Sequence, residues 1–205
     1  RRWLLGSVTQ QLLQDSINDM FVIRVTDQGR TDGEAMPTTA ILPLDGSLFA
    51  EQIVPRMEEL AETIGLKLIL LRVAAWQSAA PDRPSSPSID GCFHQLESEL
   101  HQYLGAKILE LRKKGLADVE AAVGFGYAPE EIIRTARETR NSFVALRTHR
   151  GSGLNRWALG SVTNAVVRRS RGPVLVLRGE PTRATDHGSN LLQSSSITKQ
   201  ECHLR

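Results

Sequence analysis

The 205-residue sequence is 40% hydrophobic and 23% charged, with a formal net charge of +2, a balance that suits one α/β unit of about 140–150 residues plus extra segments. So small a net charge gives no strong field for nucleic acid or a membrane surface, and no apolar run approaches the roughly 20 residues of a membrane helix. The two cysteines, Cys92 and Cys202, fall in a polar helix-like stretch and in the tail, so a reducing cytoplasm fits better than a disulfide framework.

The chain starts Arg1-Arg2-Trp3-Leu4-Leu5-Gly6, without an initiator Met or a signal-peptide pattern, and is read as a piece of a longer protein. Residues 2–24 then align without a gap on residues 156–178. Ten positions are identical, among them Arg-Trp, Leu-Gly-Ser-Val-Thr, a Ser in mid-segment and the closing Val and Arg. The offset of 154 residues is about one domain length. Residues 1–25 are therefore expected to be the last helix and strand of a first domain. A linker at 26–37, a complete second domain at 38–178 and a polar tail at 179–205 follow, the tail lacking the periodicity of a folded segment.

Within the second domain, Thr38–Leu44 is an apolar run ending in a turn at Asp45-Gly46, hence a strand. Ser47–Gly65 places Ile53, Val54, Met57, Leu60, Ala61 and Ile64 at helical spacing before a glycine stop. Lys67–Val73 is a nearly continuous apolar strand of the kind buried on both faces. Gln77–Ile89, rich in Pro and Ser, reads as a loop, and Cys92–Lys114 as a long amphipathic helix. Ala117–Val123 is a strand alternating Val119, Ala121 and Val123. Pro129-Glu130-Glu131 opens the next helix, with acidic side chains at its positive end. Phe143–Leu146 and Pro173–Leu177 are the last two strands, separated by a helix after Gly160-Ser161. Strands alternating with helices predict a parallel sheet covered on both faces, with ligands outside the carboxyl ends of the strands.

Two places lie just there. Asp45, in Pro43-Leu44-Asp45-Gly46-Ser47, fits either a carboxylate facing a ribose or metal, or a helix cap. Thr148–Thr163 joins glycines to a Ser/Thr-bearing helix start whose free N–H groups suit phosphate, although an ordinary capped loop has the same composition.

Leu146–Val176, with Leu42–Asp45 and the repeated Gly-Ser-Val-Thr, resembles the universal stress protein family, and Gly126–Ile132 is similar to that family's Gly-Asp-Pro-type start of its third helix. The resemblance covers 38–178, with 2–25 as a remnant of a tandem partner. It implies an α/β fold: an open, doubly wound, parallel five-stranded sheet, Rossmann-like and of the adenine nucleotide alpha hydrolase type, in strand order 3-2-1-4-5. In ATP-binding members, as the resemblance implies, Asp45 would hold the ribose, with Pro43 and Leu44 ahead of it, and Val73 would border the adenine. Leu146 would lead into the phosphate loop. Gly160 and Ser161 would meet the phosphates, beside Val162 and Thr163. The family loop runs Gly, two residues, Gly, nine residues, Gly-Ser/Thr. Anchored on Gly160, its first two glycines fall on Arg147 and Arg150.

An arginine there adds a Cβ where backbone must approach phosphate, yet it also brings a fork that binds phosphate. The sequence therefore favours a weakened or altered ATP site, with an arginine phosphate clamp and retained ATP as the alternative, and Mg only alongside ATP. Neither a general base nor a nucleophile stands beside the loop, so an enzyme is not indicated. His94 and His101, seven apart on one helix, lack a third ligand and read as surface residues. The expected role is a cytoplasmic stress-response regulator with a protein partner, or else a regulatory module of a larger sensor or transporter. The domains would pair through their last strands, Met20–Val25 antiparallel to Pro173–Leu177, within a tandem chain or a homodimer. Leu12 and Leu13 of the remnant helix are expected to be poorly covered.

Overall fold

Apolar runs too short for buried helices set the frame, and in the computed structural model each becomes a strand. The structure describes residues 6, 9, 11–13, 16, 18–23, 36–74, 87–148 and 159–178. Strands β1 (Met20–Val22), β2 (Thr39–Pro43), β3 (Lys67–Ala74), β4 (Val119–Phe125), β5 (Ser142–Thr148) and β6 (Val174–Arg178) form one sheet in the order β1-β6-β5-β2-β3-β4. From β2 to β6 all pairings are parallel, and these five strands, numbered among themselves, run 3-2-1-4-5. The expected five-stranded sheet is therefore a six-stranded one. Its extra member, β1, pairs antiparallel with β6, matching Met20 to Val176, Phe21 to Leu175 and Val22 to Val174.

Among the described residues, helices α1 (Leu48–Glu51), α2 (Ile53–Ile64), α3 (Pro87–Lys113), α4 (Ala128–Glu138) and α5 (Ser161–Arg169) cover the two faces, and residues 11–13 are helical as well. One core holds Leu42, Leu68 and Leu70 of the sheet with Met57 and Leu104 of α2 and α3. The other holds Ile41, Leu71 and Val144 with Ile132 and Val166 of α4 and α5. Alternating side chains of the central strands thus enter opposite cores, as a sheet buried on both sides requires. Among the described residues, no helix is long and apolar enough to cross a membrane.

Three elements depart from the sequence reading. The single helix expected over 47–65 is broken at Gln52 into α1 and α2. Pro55 lacks the N–H that would reach back to the Glu51 carbonyl, so the ladder is interrupted at that turn. Gly65, at φ 69°, then closes α2 in a left-handed cap. Helix α3 begins at Pro87, inside the stretch read as a loop, because Pro is well accommodated in a first turn. Strand β4 is shifted two residues onward and does not keep its alternation, since Ala121 is exposed. It is one of the two edge strands of the sheet. The interval 24–35 and the tail 179–205, with Trp3, Trp157, His149 and Arg150, lie outside the described residues.

Candidate functional site

At the carboxyl ends of β2, β3 and β5 the chain leaves the sheet in different directions and opens a cleft of about 240 Å3. Pro43, Leu44, Asp45, Val73, Leu146, Arg147, Gly160, Ser161, Val162 and Thr163 all line it. Every described residue singled out in the sequence for this role is thus brought to one place, from three strands and the start of α5.

Asp45 sits on the exposed turn between β2 and α1. Its Oδ1 accepts hydrogen bonds from the Ser47 N–H at 2.9 Å and from the Ser47 hydroxyl at 2.5 Å. Ser47, in turn, is the N-cap of α1 and accepts from the Ala50 N–H at 3.1 Å. The carboxylate therefore braces the cap instead of being the cap. Partial burial pushes the Asp45 pKa up, but the bonds from Ser47 and the charge of Arg72 outweigh it, leaving the group below its ordinary value. Gly46 follows at φ 80°, and a Cβ there would lie 3.3 Å from the Arg72 guanidinium. Both the turn and the close approach call for glycine.

Arg72 is a residue the sequence reading missed, although a charge inside the apolar run Lys67–Val73 was its signal. Its guanidinium donates to the Leu44 carbonyl at 3.1 Å and lies 5.6 Å from the Tyr103 ring centre. Tyr103 donates to Glu51 at 2.9 Å, and Lys107 pairs with Glu51 at 2.7 Å. Burial together with the Glu51 bond drives the Tyr103 pKa well above its ordinary value, so the ring stays neutral and keeps donating.

Arg147 leaves β5 toward α1. Its guanidinium donates to the Phe49 carbonyl at 3.1 Å and to the Gln52 side-chain oxygen, and stands 4.4 Å from the Phe49 ring centre. The side chain is held against the cleft wall by a cation–π contact and neutral acceptors. Phe49, Ala50, Ile53, Leu71, Ala128 and Ile132 complete the lining. Nothing in their spacing marked them, since each is an apolar residue on a helix face or strand whose direction only the packing fixes.

Also lining the cleft, Gly160 is the N-cap of α5, and its carbonyl accepts from the Asn164 N–H at 2.9 Å. That is the first bond of the helical ladder, so the N–H groups of Ser161, Val162 and Thr163 precede it and suit an anion. The cleft thus combines apolar lining at Val73, Ile132 and Val162 with polar groups at Asp45, Arg147 and Ser161. That donor set fits a flat, partly apolar group carrying an anionic tail. His94 and His101 are exposed on α3, away from this lining.

A family model described as the universal stress protein family matches residues 36–178. No curated protein sequence matches the chain. Among solved structures, a universal stress protein from Lactobacillus plantarum is 18% identical with a TM-score of 0.54, over 70% of this chain and 99% of that one. A universal stress protein from Archaeoglobus fulgidus DSM 4304 is 18% identical with a TM-score of 0.56, over 85% of this chain and 54% of that one. A functionally unknown protein from Pseudomonas aeruginosa PAO1 is 14% identical with a TM-score of 0.59, over 86% of this chain and 58% of that one. At these identities the likeness is one of fold. The last two alignments take in more of this chain than the first.

Proposed function

The chain belongs to the universal stress protein family, and from that premise we propose that it is a stress-response regulator whose adenine-nucleotide site is altered, with the nucleotide a ligand and not a substrate. The observation that carries this reading is the convergence of Asp45, Val73, Gly160 and Ser161 on one cleft whose loop-side wall is Arg147. Asp45 would meet the ribose, Val73 the base, and the first turn of α5 the phosphates. Arg147 stands at a family glycine position, latched onto Phe49 and Gln52, where its side chain narrows the phosphate end. Mg would enter only with the nucleotide. Among the described residues of the lining, none is placed as a nucleophile with a base beside it, which favours a binding role over an enzyme.

The second reading, retained ATP with an arginine clamp, is favoured by the persistence of a 240 Å3 cleft beside the Arg147 fork. Calorimetry of ATP against the natural chain and the Arg147→Gly/Arg150→Gly variant separates the two. A plug predicts that the variant gains affinity. A clamp predicts a loss of about 1.5–3 kcal/mol for each charged hydrogen bond removed. Unchanged affinity refutes both.

Residues 1–25 belong, on this reading, to a first domain of the same family, joined through 26–37 to the second. Support comes from the repeat and from the way it folds. Ser16 Oγ donates to the Asn18 carbonyl just as Ser170 Oγ donates to the Gly172 carbonyl. Phe21 pairs with Leu175, its own counterpart in the repeat, the self-complementary pairing that a two-fold axis produces. The cytoplasm and a regulatory protein partner complete the proposal.

A further inference from the structure

Arg72 is a charge within the otherwise apolar run 68–74 of β3. Its neighbours Leu71 and Val73 line the main cleft, and Arg72 does not. Alternation along the strand turns it to the face of Leu68 and Leu70, toward the core shared with α3. A guanidinium is costly there unless its charge and its N–H groups are met. Groups from separate elements meet it. It donates to the Leu44 carbonyl at 3.1 Å, stands 5.6 Å from the centre of the Tyr103 ring, and its charge acts on the Asp45 carboxylate. Gly46 packs so close that a Cβ there would lie 3.3 Å from the guanidinium nitrogens. Leu44, Asp45 and Gly46 are consecutive, so one side chain grips the whole turn that carries the carboxylate. Behind it, Glu51 of α1 accepts from Tyr103 of α3 at 2.9 Å and pairs with Lys107 at 2.7 Å, which fixes the ring beneath the guanidinium. Within the turn, both Ser47 bonds fall on Asp45 Oδ1, and Oδ2 accepts none among the described residues.

We propose that Arg72 is a positioning residue for Asp45, holding the turn so that the carboxylate selects ligands with a free ribose diol. The inference rests on the nucleotide reading of the main cleft and adds to it the residue that sets sugar specificity. Arg72 touches no ligand itself and acts through the turn. A carboxylate accepts charge-assisted hydrogen bonds from a vicinal diol, and a dideoxyribose has none to give. The Arg72 charge also favours the ionised carboxylate, so removing it should let Asp45 take up a proton at a higher pH. Besides Arg72, the titratable groups of this cluster are Tyr103 and Lys107 on α3 and Glu51 on α1.

The test is an NMR titration of the whole chain with adenosine and with 2′,3′-dideoxyadenosine. Neither carries a phosphate, so the result does not depend on Arg147. The natural chain is expected to bind adenosine about tenfold or more tightly, the size of one hydrogen bond to a charged group. Arg72→Met is expected to narrow that preference to about twofold and to leave dideoxyadenosine binding unchanged. As pH falls, the natural chain should lose its preference when Asp45 is protonated. In Arg72→Met whatever preference remains should be lost at a higher pH, whereas Arg72→Lys, which keeps the charge, should follow the natural profile. Arg72→Lys also serves if Arg72→Met does not fold, because its preference should then stay close to the natural one while Asp45→Asn abolishes it. Equal weakening of both nucleosides in Arg72→Met would mark a merely structural residue and overturn the proposal. So would an unchanged preference and pH profile, or a natural chain that binds both nucleosides equally. A natural chain that binds neither overturns the nucleotide reading of the cleft and this proposal with it.

Discussion

The Asp45 carboxylate accepts both of its Ser47 hydrogen bonds through Oδ1, while Oδ2 makes no hydrogen bond among the described residues. Bracing a helix cap and meeting a ligand are therefore compatible at this position, and the two roles open in the sequence do not compete. Asp45→Ala is expected to cost about 1 kcal/mol in denaturant unfolding, the size of a lost cap interaction. The pH dependence has a definite sign. The folded-state pKa of Asp45 is lowered from 3.8, so its contribution is fully present above the unfolded value and is lost as pH falls through the folded one. The melting temperatures of the natural chain and Asp45→Asn should then differ at neutral pH and converge below the ordinary carboxylate range. A difference independent of pH would assign the effect to shape and not to charge.

The helical residues 11–13 illustrate what an element inherits from its neighbours. Leu13 is fully buried, against the expectation that it would be poorly covered, whereas Leu12 is 52% exposed. Leu13 is the repeat counterpart of Val167 and joins the same core, beside Val166, Val174 and Val176. The strand that follows it, β1, docks on β6 and carries Leu13 onto that face. Leu12 is the repeat counterpart of Val166, which is buried. Leu13→Ala should therefore behave as a core truncation and cost about 2–5 kcal/mol, whereas Leu12→Ala should stay within about 0.5 kcal/mol, as an exposed substitution does. Urea midpoints of the two variants decide the matter. Phe21 adds an edge-on contact with Phe143, ring centres 5.4 Å apart at 84°, which fixes β1 beyond its three paired residues.

At the scale of the molecule, β1 is an edge strand whose Phe21, with Ile23 just after it, is about half exposed, and Leu12 just ahead is exposed too. An apolar edge of this kind invites another chain. Light scattering of the 205-residue chain should show concentration-dependent association that the Phe21→Lys/Ile23→Lys variant reduces, and a strictly monomeric chain at high concentration would refute this. The α/β class was legible in the sequence because burial on both faces of a parallel sheet needs continuous apolar runs, a local signal. The gathering of residues at the main cleft follows from strand ends meeting at one edge of such a sheet, and the pairing of β1 with β6 followed from the resemblance to a family that pairs through its last strands, with the repeat supplying the partner strand. Other features were decided by contacts between distant segments. Phe49 and Gln52 hold the Arg147 fork from nearly a hundred residues away, so no spacing rule in β5 could say where that side chain goes. The meeting of Asp19, Arg56 and Arg178, likewise, joins three distant segments. It exists only because β1 closes antiparallel against β6.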